Sequence, residues 1–156
     1  MVRAIPLSSA ILGALFATGM AGLVLIEQAA SPGSSIFPML FLVLFEWAAF
    51  GITGAVYLVL TELRPDTSQV RGAWSIVGAY VPLILLGAFS IGPNVLVSAV
   101  LLLVPTLILT LRNRLPIIRH LAILGIGTIA NLVLLLAFIA LARVVYGFSL
   151  FHFSRL

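Results

Sequence analysis

The chain contains no cysteine, no lysine and few charged residues of either sign. Without cysteine it can form no disulfide, thiolate metal site, thiol nucleophile or dithiol redox pair. Its eight basic residues are all arginines and only four residues are acidic, so charged side chains occupy 8% of the 156 positions. Because a soluble domain carries charge on about a quarter of its residues, this composition excludes a surface that is mostly exposed to water.

Apolar residues take the place of the missing charges. They make up 63% of the chain, with a mean hydropathy of +1.31. Apolar runs of about 18 or more residues recur, long enough to cross a bilayer core, and they lack the alternation of a membrane β-barrel. We therefore predict an all-α fold, a polytopic transmembrane helical bundle of about five spans that forms a single transmembrane domain over residues 1–156. The predicted spans are residues 4–26, 37–60, 73–90, 95–111 and 117–146.

The arginines are unevenly divided between the two predicted sides of the membrane. Arg143 and Arg155 lie on one side, and the other carries Arg3, Arg64, Arg71, Arg112, Arg114 and Arg119. Because cytoplasmic loops are enriched in basic residues, we predict a cytoplasmic N-terminus and an outside C-terminus, in the cytoplasmic membrane of a bacterium or archaeon. The bilayer is then the first partner, and nucleic acid is not expected. Arg112, Arg114 and Arg119 are predicted to contact anionic lipid headgroups, at about 1 kcal/mol each.

Local signals mark the connections and two helix interiors. Asp66 followed three residues later by Gln69 has the form of a capping box, which predicts a short interfacial helix leading into the third span. Residues 91–94 predict a tight hairpin between the third and fourth spans. Pro82 and Pro105 lie inside those two spans, where each removes a backbone N–H, frees a carbonyl and permits a kink.

One face of the first predicted helix is built from small residues. Ser9, Gly13, Ala17 and Ala21 recur every four positions, and such a face lets helix backbones approach closely in lipid. Two interpretations stay open, namely packing within the same bundle and contact with another subunit. The same two interpretations apply to four glycines of the second and fifth spans: Gly51, Gly54, Gly125 and Gly127.

Glu46 lies near the middle of the second predicted span. A charged side chain at that depth costs roughly 2.5 to 3.5 kcal/mol on insertion scales, so it is expected to face protein or a cavity. Three interpretations compete: a neutral or hydrogen-bonded carboxyl that locks helix positions, an ion pair with Arg143, and a proton or cation site that alternates between loading and release.

Other polar side chains of the spans are candidates to join Glu46. Thr53 and Tyr57 follow it on the same side of the second helix. Ser98 on the fourth span and Asn131 near the middle of the fifth are the polar candidates from other helices. Convergence of these groups is a prediction about the bundle interior.

Signals of catalysis are scarce. Residues 88–92 approach the G-x-S-x-G nucleophile elbow, but alanine replaces the first glycine and the setting is a helix end. Ser90, His152 and Glu27 on one predicted side make an intramembrane hydrolase a remote alternative. No metal-binding motif or glycine-rich phosphate loop occurs, so no catalytic or metal-ligating residue is assigned and no cofactor is implied.

These observations favour a noncatalytic helical subunit of a larger membrane complex or a homo-oligomer, with other membrane subunits or copies of itself as partners. The alternative is a small proton- or cation-coupled transporter or channel that uses the intramembrane carboxylate of Glu46.

Overall fold

The computed structural model describes residues 4–30, 38–64, 66–87 and 91–146. These ranges contain five helices: α1 (Ala4–Ala30), α2 (Pro38–Leu63), α3 (Thr67–Leu86), α4 (Gly92–Arg112) and α5 (Ile117–Tyr146). Each is long and apolar enough to cross a membrane. The predicted helical class and the five candidate spans are thus confirmed, whereas the membrane side of each terminus stays a prediction.

The first four helices form a ring, and α5 lies outside it. Helix α1 packs against α2 and α4, and α3 completes the ring by packing against the same two helices. Helix α5 packs mainly along α3. The interior of the ring is filled by large, fully buried side chains, among them Trp47, Tyr80, Leu44, Leu83 and Leu102.

Helix α3 begins earlier than the predicted third span. Asp66 caps it, accepting hydrogen bonds from the backbone N–H and the hydroxyl of Ser68 at 2.9 and 2.5 Å. The second half of a capping box is not formed, because Gln69 Oε1 has no hydrogen-bond partner. The helix then runs as one element from Thr67 to Leu86, so the predicted short helix is the first part of the span itself.

Helix α4 also begins earlier than predicted. Gly92, Pro93 and Asn94, which were predicted to form the hairpin, are its first residues. A proline in the first helical turn costs no hydrogen bond, because the N–H groups there have no partner within the helix. At the other end Arg114 has a positive φ of 50°, and Leu115 N donates to the carbonyl oxygen of Thr110 at 3.0 Å. This is the left-handed residue and the closing bond of a Schellman motif.

Glycines bring α3 and α5 into backbone contact. A Cβ placed on Gly78 would lie 2.0 Å from the carbonyl oxygen of Leu124, and one placed on Gly127 would lie 2.0 Å from the carbonyl oxygen of Ser75. No side chain fits at either position without moving the helices apart. Helix α5 is therefore held against α3 at a distance that only glycine allows.

The small-residue face of α1 is covered within the chain. Gly13 faces Leu101 of α4, and a Cβ on Gly51 of α2 would lie 2.6 Å from the Cβ of Ala17. Ala17 and Ala21 are buried. In this structure the face packs inside the bundle.

Candidate functional site

Glu46 in the first half of α2 is buried without a hydrogen bond. Only 5% of the residue is exposed, and neither carboxyl oxygen has a hydrogen-bond partner. The side chain of Asn131 on α5 interacts with it, although no bond of regular geometry closes between the two. Because nearly all buried polar atoms in proteins are paired, the two unpaired oxygens on one carboxyl need an explanation.

Asn131 joins α5 to α3. It is 4% exposed, and its Nδ2 donates to the carbonyl oxygen of Ala79 at 2.7 Å. Only the amide nitrogen can donate to a carbonyl, so this bond fixes the orientation of the amide group. The amide oxygen Oδ1 is left without a donor. We call Glu46 of α2, Asn131 of α5 and the Ala79 carbonyl of α3 the junction site.

The junction site has a surplus of hydrogen-bond acceptors. Three oxygens, the two of Glu46 and Oδ1 of Asn131, have no donor. A proton on the carboxyl converts one of them into an O–H donor and removes a charge that is costly at membrane depth. Within the described ranges, no three acidic or histidine residues come together in a way that could hold a metal ion. The group at this site that can gain or lose a proton is the carboxyl of Glu46.

The junction site lies where the backbone ladder of α3 is interrupted. Pro82 has no N–H to give to the carbonyl oxygen of Gly78, four residues earlier. The hydroxyl of Thr128 on α5 lies 2.9 Å from that oxygen and shares its proton with the carbonyl oxygen of Leu124 in its own helix, at 3.0 Å. Asn131 bonds the next carbonyl of α3, that of Ala79. Helix α5 thus supplies two donors to adjacent carbonyls of α3 at this interruption.

Helix α4 shows the same arrangement at its own proline. Pro105 leaves the carbonyl oxygen of Leu101 without its helical donor. The hydroxyl of Ser9 on α1 donates to that oxygen at 2.8 Å. The sequence predicted that each proline frees a carbonyl, and the structure identifies that carbonyl and the hydroxyl that lies against it.

Ser98 bonds Trp47, the residue that follows Glu46 in α2. Its hydroxyl accepts a hydrogen bond from Trp47 Nε1 at 2.9 Å, while the hydroxyl of Tyr80 donates to the carbonyl oxygen of Trp47 at 3.3 Å. These bonds join α2 to α4 and α3 beside Glu46. Ser98 therefore supports the helix that carries the carboxyl.

Thr53 and Tyr57 are separated from Glu46 along α2. Tyr57 lies roughly 16 Å further along the helix axis at 1.5 Å per residue, and its ring lies 2.8 Å from where a Cβ on Gly72 would be. Thr53 is half-buried between these levels. Of the residues predicted to converge, the structure brings Asn131 to Glu46 and leaves Tyr57 at the end of the bundle that carries the arginines.

That arginine-bearing end contains an ion pair. Arg112 Nη1 lies 2.9 Å from Glu62 Oε1, so part of the charge predicted to meet lipid headgroups is neutralised within the protein. Arg114 and Arg119 are exposed at the same end. Contact of these arginines with anionic lipid stays a prediction.

His120 is a buried polar residue that the sequence did not single out. It is 3% exposed, its Nδ1 lies 2.9 Å from the carbonyl oxygen of Pro116, and its ring centroid is 6.1 Å from that of Trp74. A carbonyl only accepts, so Nδ1 carries the proton. The burial of His120 could have been predicted from its spacing to Gly127 and Asn131, which places all three on one face of α5.

Some predicted residues fall outside the part of the chain that the structure describes. The side chain of Arg143 is among them, and so are Ser90 and His152. The ion pair with Glu46 and the hydrolase alternative therefore stay predictions.

Comparison of the chain with protein-family models, with curated proteins and with solved structures gave no match.

Proposed function

We propose that the protein is a small proton-coupled membrane transporter in which Glu46 binds and releases the coupled proton. The observation that supports this is the set of three buried oxygens without donors at the junction site. By contrast, the buried side chains of Trp47 and Trp74 are paired, donating to Ser98 and Thr110 of α4.

A proton suits the junction site better than a metal ion does. Calcium takes about six to eight oxygen ligands and magnesium about six, whereas the unpaired oxygens number three. A proton needs one oxygen to bind and one acceptor for the resulting O–H group. Glu46 and Asn131 together offer both.

The test is infrared titration of the purified protein in lipid vesicles, combined with proton uptake after a pH step. We expect a carbonyl-stretch band of a protonated carboxylic acid that disappears as the pH rises and is absent in Glu46→Gln. Proton uptake should fall in the same variant. Glu27→Gln, which changes an exposed carboxyl at the end of α1, is the matched control and should retain both signals. If the titrating band survives in Glu46→Gln, the proposal is wrong.

A second candidate, a noncatalytic subunit or homo-oligomer, is favoured by a different observation. Gly19 and Gly22 of α1 face open space, with nothing within 4 Å of an added Cβ. Glycines on an outward helix surface allow another helix to approach closely. Native mass spectrometry in mild detergent should then show an assembly that Gly19→Leu reduces to the monomer. A parent protein that is monomeric and free of other subunits would contradict this candidate.

A further inference from the structure

We propose that the substrate exchanged for the proton of Glu46 is a lipophilic organic cation with a primary ammonium group, which reaches the carboxyl sideways from the bilayer. This inference rests on the proposed function, because it names the substrate class of the same carboxyl. Three observations support it: the carboxyl is buried without a donor, a pair of aromatic rings begins one helical turn away, and α5 leaves the side of α2 beside it unpacked.

The carboxyl of Glu46 lacks what an ammonium group provides. The residue is 5% exposed, and neither carboxyl oxygen has a hydrogen-bond partner. The arginine side chains that the structure describes all lie at the arginine-bearing end of the bundle, so none of them brings a positive charge to this level. A primary ammonium group carries one positive charge and three N–H donors. It can therefore neutralise the carboxylate and donate to both of its oxygens.

Aromatic rings lie beside the carboxyl along α2. Phe50 follows Glu46 by four residues and so lies on the same side of the helix. Its ring centroid is 6.0 Å from that of Tyr80 on α3, with the ring planes inclined by 58°. Tyr80 is fully buried, whereas Phe50 is only half-buried. Because an aromatic ring attracts a cation over its face and packs against an apolar body, these rings favour an organic cation over an inorganic ion.

The side of α2 that carries Glu46 has no helix packed directly against it. Helix α1 covers one side of α2, where Gly51 meets Ala17, and α3 covers the next, where Gly54 meets Ile76. Helix α5 packs along α3 and hardly touches α2. Since successive residues of a helix are turned by about 100°, Glu46 lies beyond the contact with α3, on the side away from α1.

We call the surface formed by Glu46, Ala49, Phe50 and Thr53 the lateral seam. Its last three residues follow Glu46 by three, four and seven positions, on the same side of α2, and all three are half-buried. A molecule dissolved in the bilayer can reach the carboxyl here by displacing side chains, without separating two packed helices. A cation that partitions into lipid is therefore favoured over a hydrophilic one. Because cation and proton occupy the same carboxyl, one is released when the other binds.

Calorimetric titration with phenethylammonium tests the substrate class in phosphatidylcholine nanodiscs, with empty nanodiscs as background. Below the pH midpoint of the Glu46 infrared band we expect saturable binding that releases about one proton per cation, measured from the dependence of the heat on the buffer. Phenethyl alcohol, which has the same ring and no charge, should not saturate. Equal binding of the two molecules, or binding without proton release, would overturn the proposal.

The role of Glu46 is tested in two ways. Glu46→Gln should abolish saturable binding of phenethylammonium. In the parent protein, saturating phenethylammonium should remove the infrared band of the protonated carboxylic acid, a result that does not depend on whether the variant folds. A band that persists at saturation would contradict the proposal.

Substitutions in the lateral seam have matched controls on the same helix. Phe50→Leu should weaken binding by about 3- to 30-fold, because the cation loses an aromatic face. Ala49→Leu fills the seam and should weaken binding to a similar extent. Phe41→Leu and Val56→Leu change exposed positions of α2 and should retain the affinity of the parent. All four variants should keep the titrating band of Glu46.

The outcomes separate the substrate from the proton site. If the band of Glu46 titrates but phenethylammonium does not bind, or binds Glu46→Gln equally well, the substrate class is wrong and the proton site stands. If binding needs Glu46 but is unchanged in both Phe50→Leu and Ala49→Leu, entry through the lateral seam is wrong. If no Glu46-dependent band titrates, both proposals are wrong.

Discussion

At the scale of single residues, side chains donate hydrogen bonds to free backbone carbonyls, as water does in soluble proteins. A backbone carbonyl without a donor costs several kcal/mol in lipid, and Ser9 and Thr128 supply donors to the carbonyls freed by two prolines. The sequence identifies each freed carbonyl, because it lies four residues before the proline. It does not identify the donor, since a hydroxyl can also bond its own helix, as Thr106 does with Leu102.

Removing the Ser9 hydroxyl tests this account. Ser9→Ala should lower the free energy of unfolding in detergent by about 1 kcal/mol. In a Pro105→Ala background the cost should be smaller, because the restored N–H of residue 105 can donate to Leu101. Thr18→Val is the control, since that hydroxyl bonds Ala14 and Leu15 within α1. Equal costs in both backgrounds would contradict the role given to Pro105.

Asp66 gives a pH-dependent prediction outside the spans. Hydrogen bonds from the hydroxyl and then the N–H of Ser68 hold the pKa of its carboxyl below the ordinary value of 3.8. A lowered carboxyl pKa contributes stability that is present above the ordinary value and is lost as the pH falls through the folded value. Asp66→Ala should therefore melt at a lower temperature than the parent at neutral pH, and the gap should narrow below pH 3.8.

The control for this prediction is Ser68→Ala, which removes the hydroxyl and keeps the N–H donor. It should have a smaller effect and move the pH dependence toward the ordinary value. A difference in melting temperature that does not change with pH would show that Asp66 acts without its charge.

At the scale of helices, the contact between α3 and α5 depends on which glycines are covered. The sequence shows Gly125 and Gly127 close together on α5 and gives no reason to separate them. The structure places Gly127 against the backbone of Ser75, while a Cβ on Gly125 meets nothing within 4 Å. The difference arises from the rotation of α5 about its axis. The sequence of a helix that is apolar on all sides does not predict this rotation.

Alanine substitution at these two glycines is a matched test. Gly127→Ala should destabilise the protein by about 1–3 kcal/mol, because the added methyl group forces the helices apart. Gly125→Ala should be neutral or stabilising by about 0.5–1 kcal/mol, since alanine favours the helical state. Chemical unfolding in detergent measures both. Similar effects from the two variants would mean that α5 is rotated differently.

At the scale of the whole molecule, the number of helices was predictable and their arrangement was not. Long apolar runs predict spans because lipid leaves no other way to satisfy the backbone. Hydropathy does not predict which helices pack against each other, because a leucine that faces lipid and a leucine that faces another helix are equally apolar. Glu46 was identifiable as a residue that needs a partner, but only the fold shows Asn131 beside it.

Five successive membrane crossings predict on which side of the membrane each connection between helices lies. Single cysteines at Asn113, in the turn after α4, and at Gln28, near the end of α1, should react with a membrane-impermeant maleimide from opposite sides of the membrane. The arginine distribution predicts that Asn113 is cytoplasmic. Labelling in intact cells and in inverted vesicles distinguishes the two sides. Labelling of both positions from one side would contradict five membrane crossings.

The outer position of α5 has a consequence for synthesis of the chain. The first four helices are translated before α5, which carries Thr128 and Asn131. During insertion the Gly78 carbonyl and the carboxyl of Glu46 therefore lack these neighbours. A truncated product that stops after α4 presents polar groups toward lipid at the flank of the ring. We expect cells to clear such a fragment faster than the complete chain.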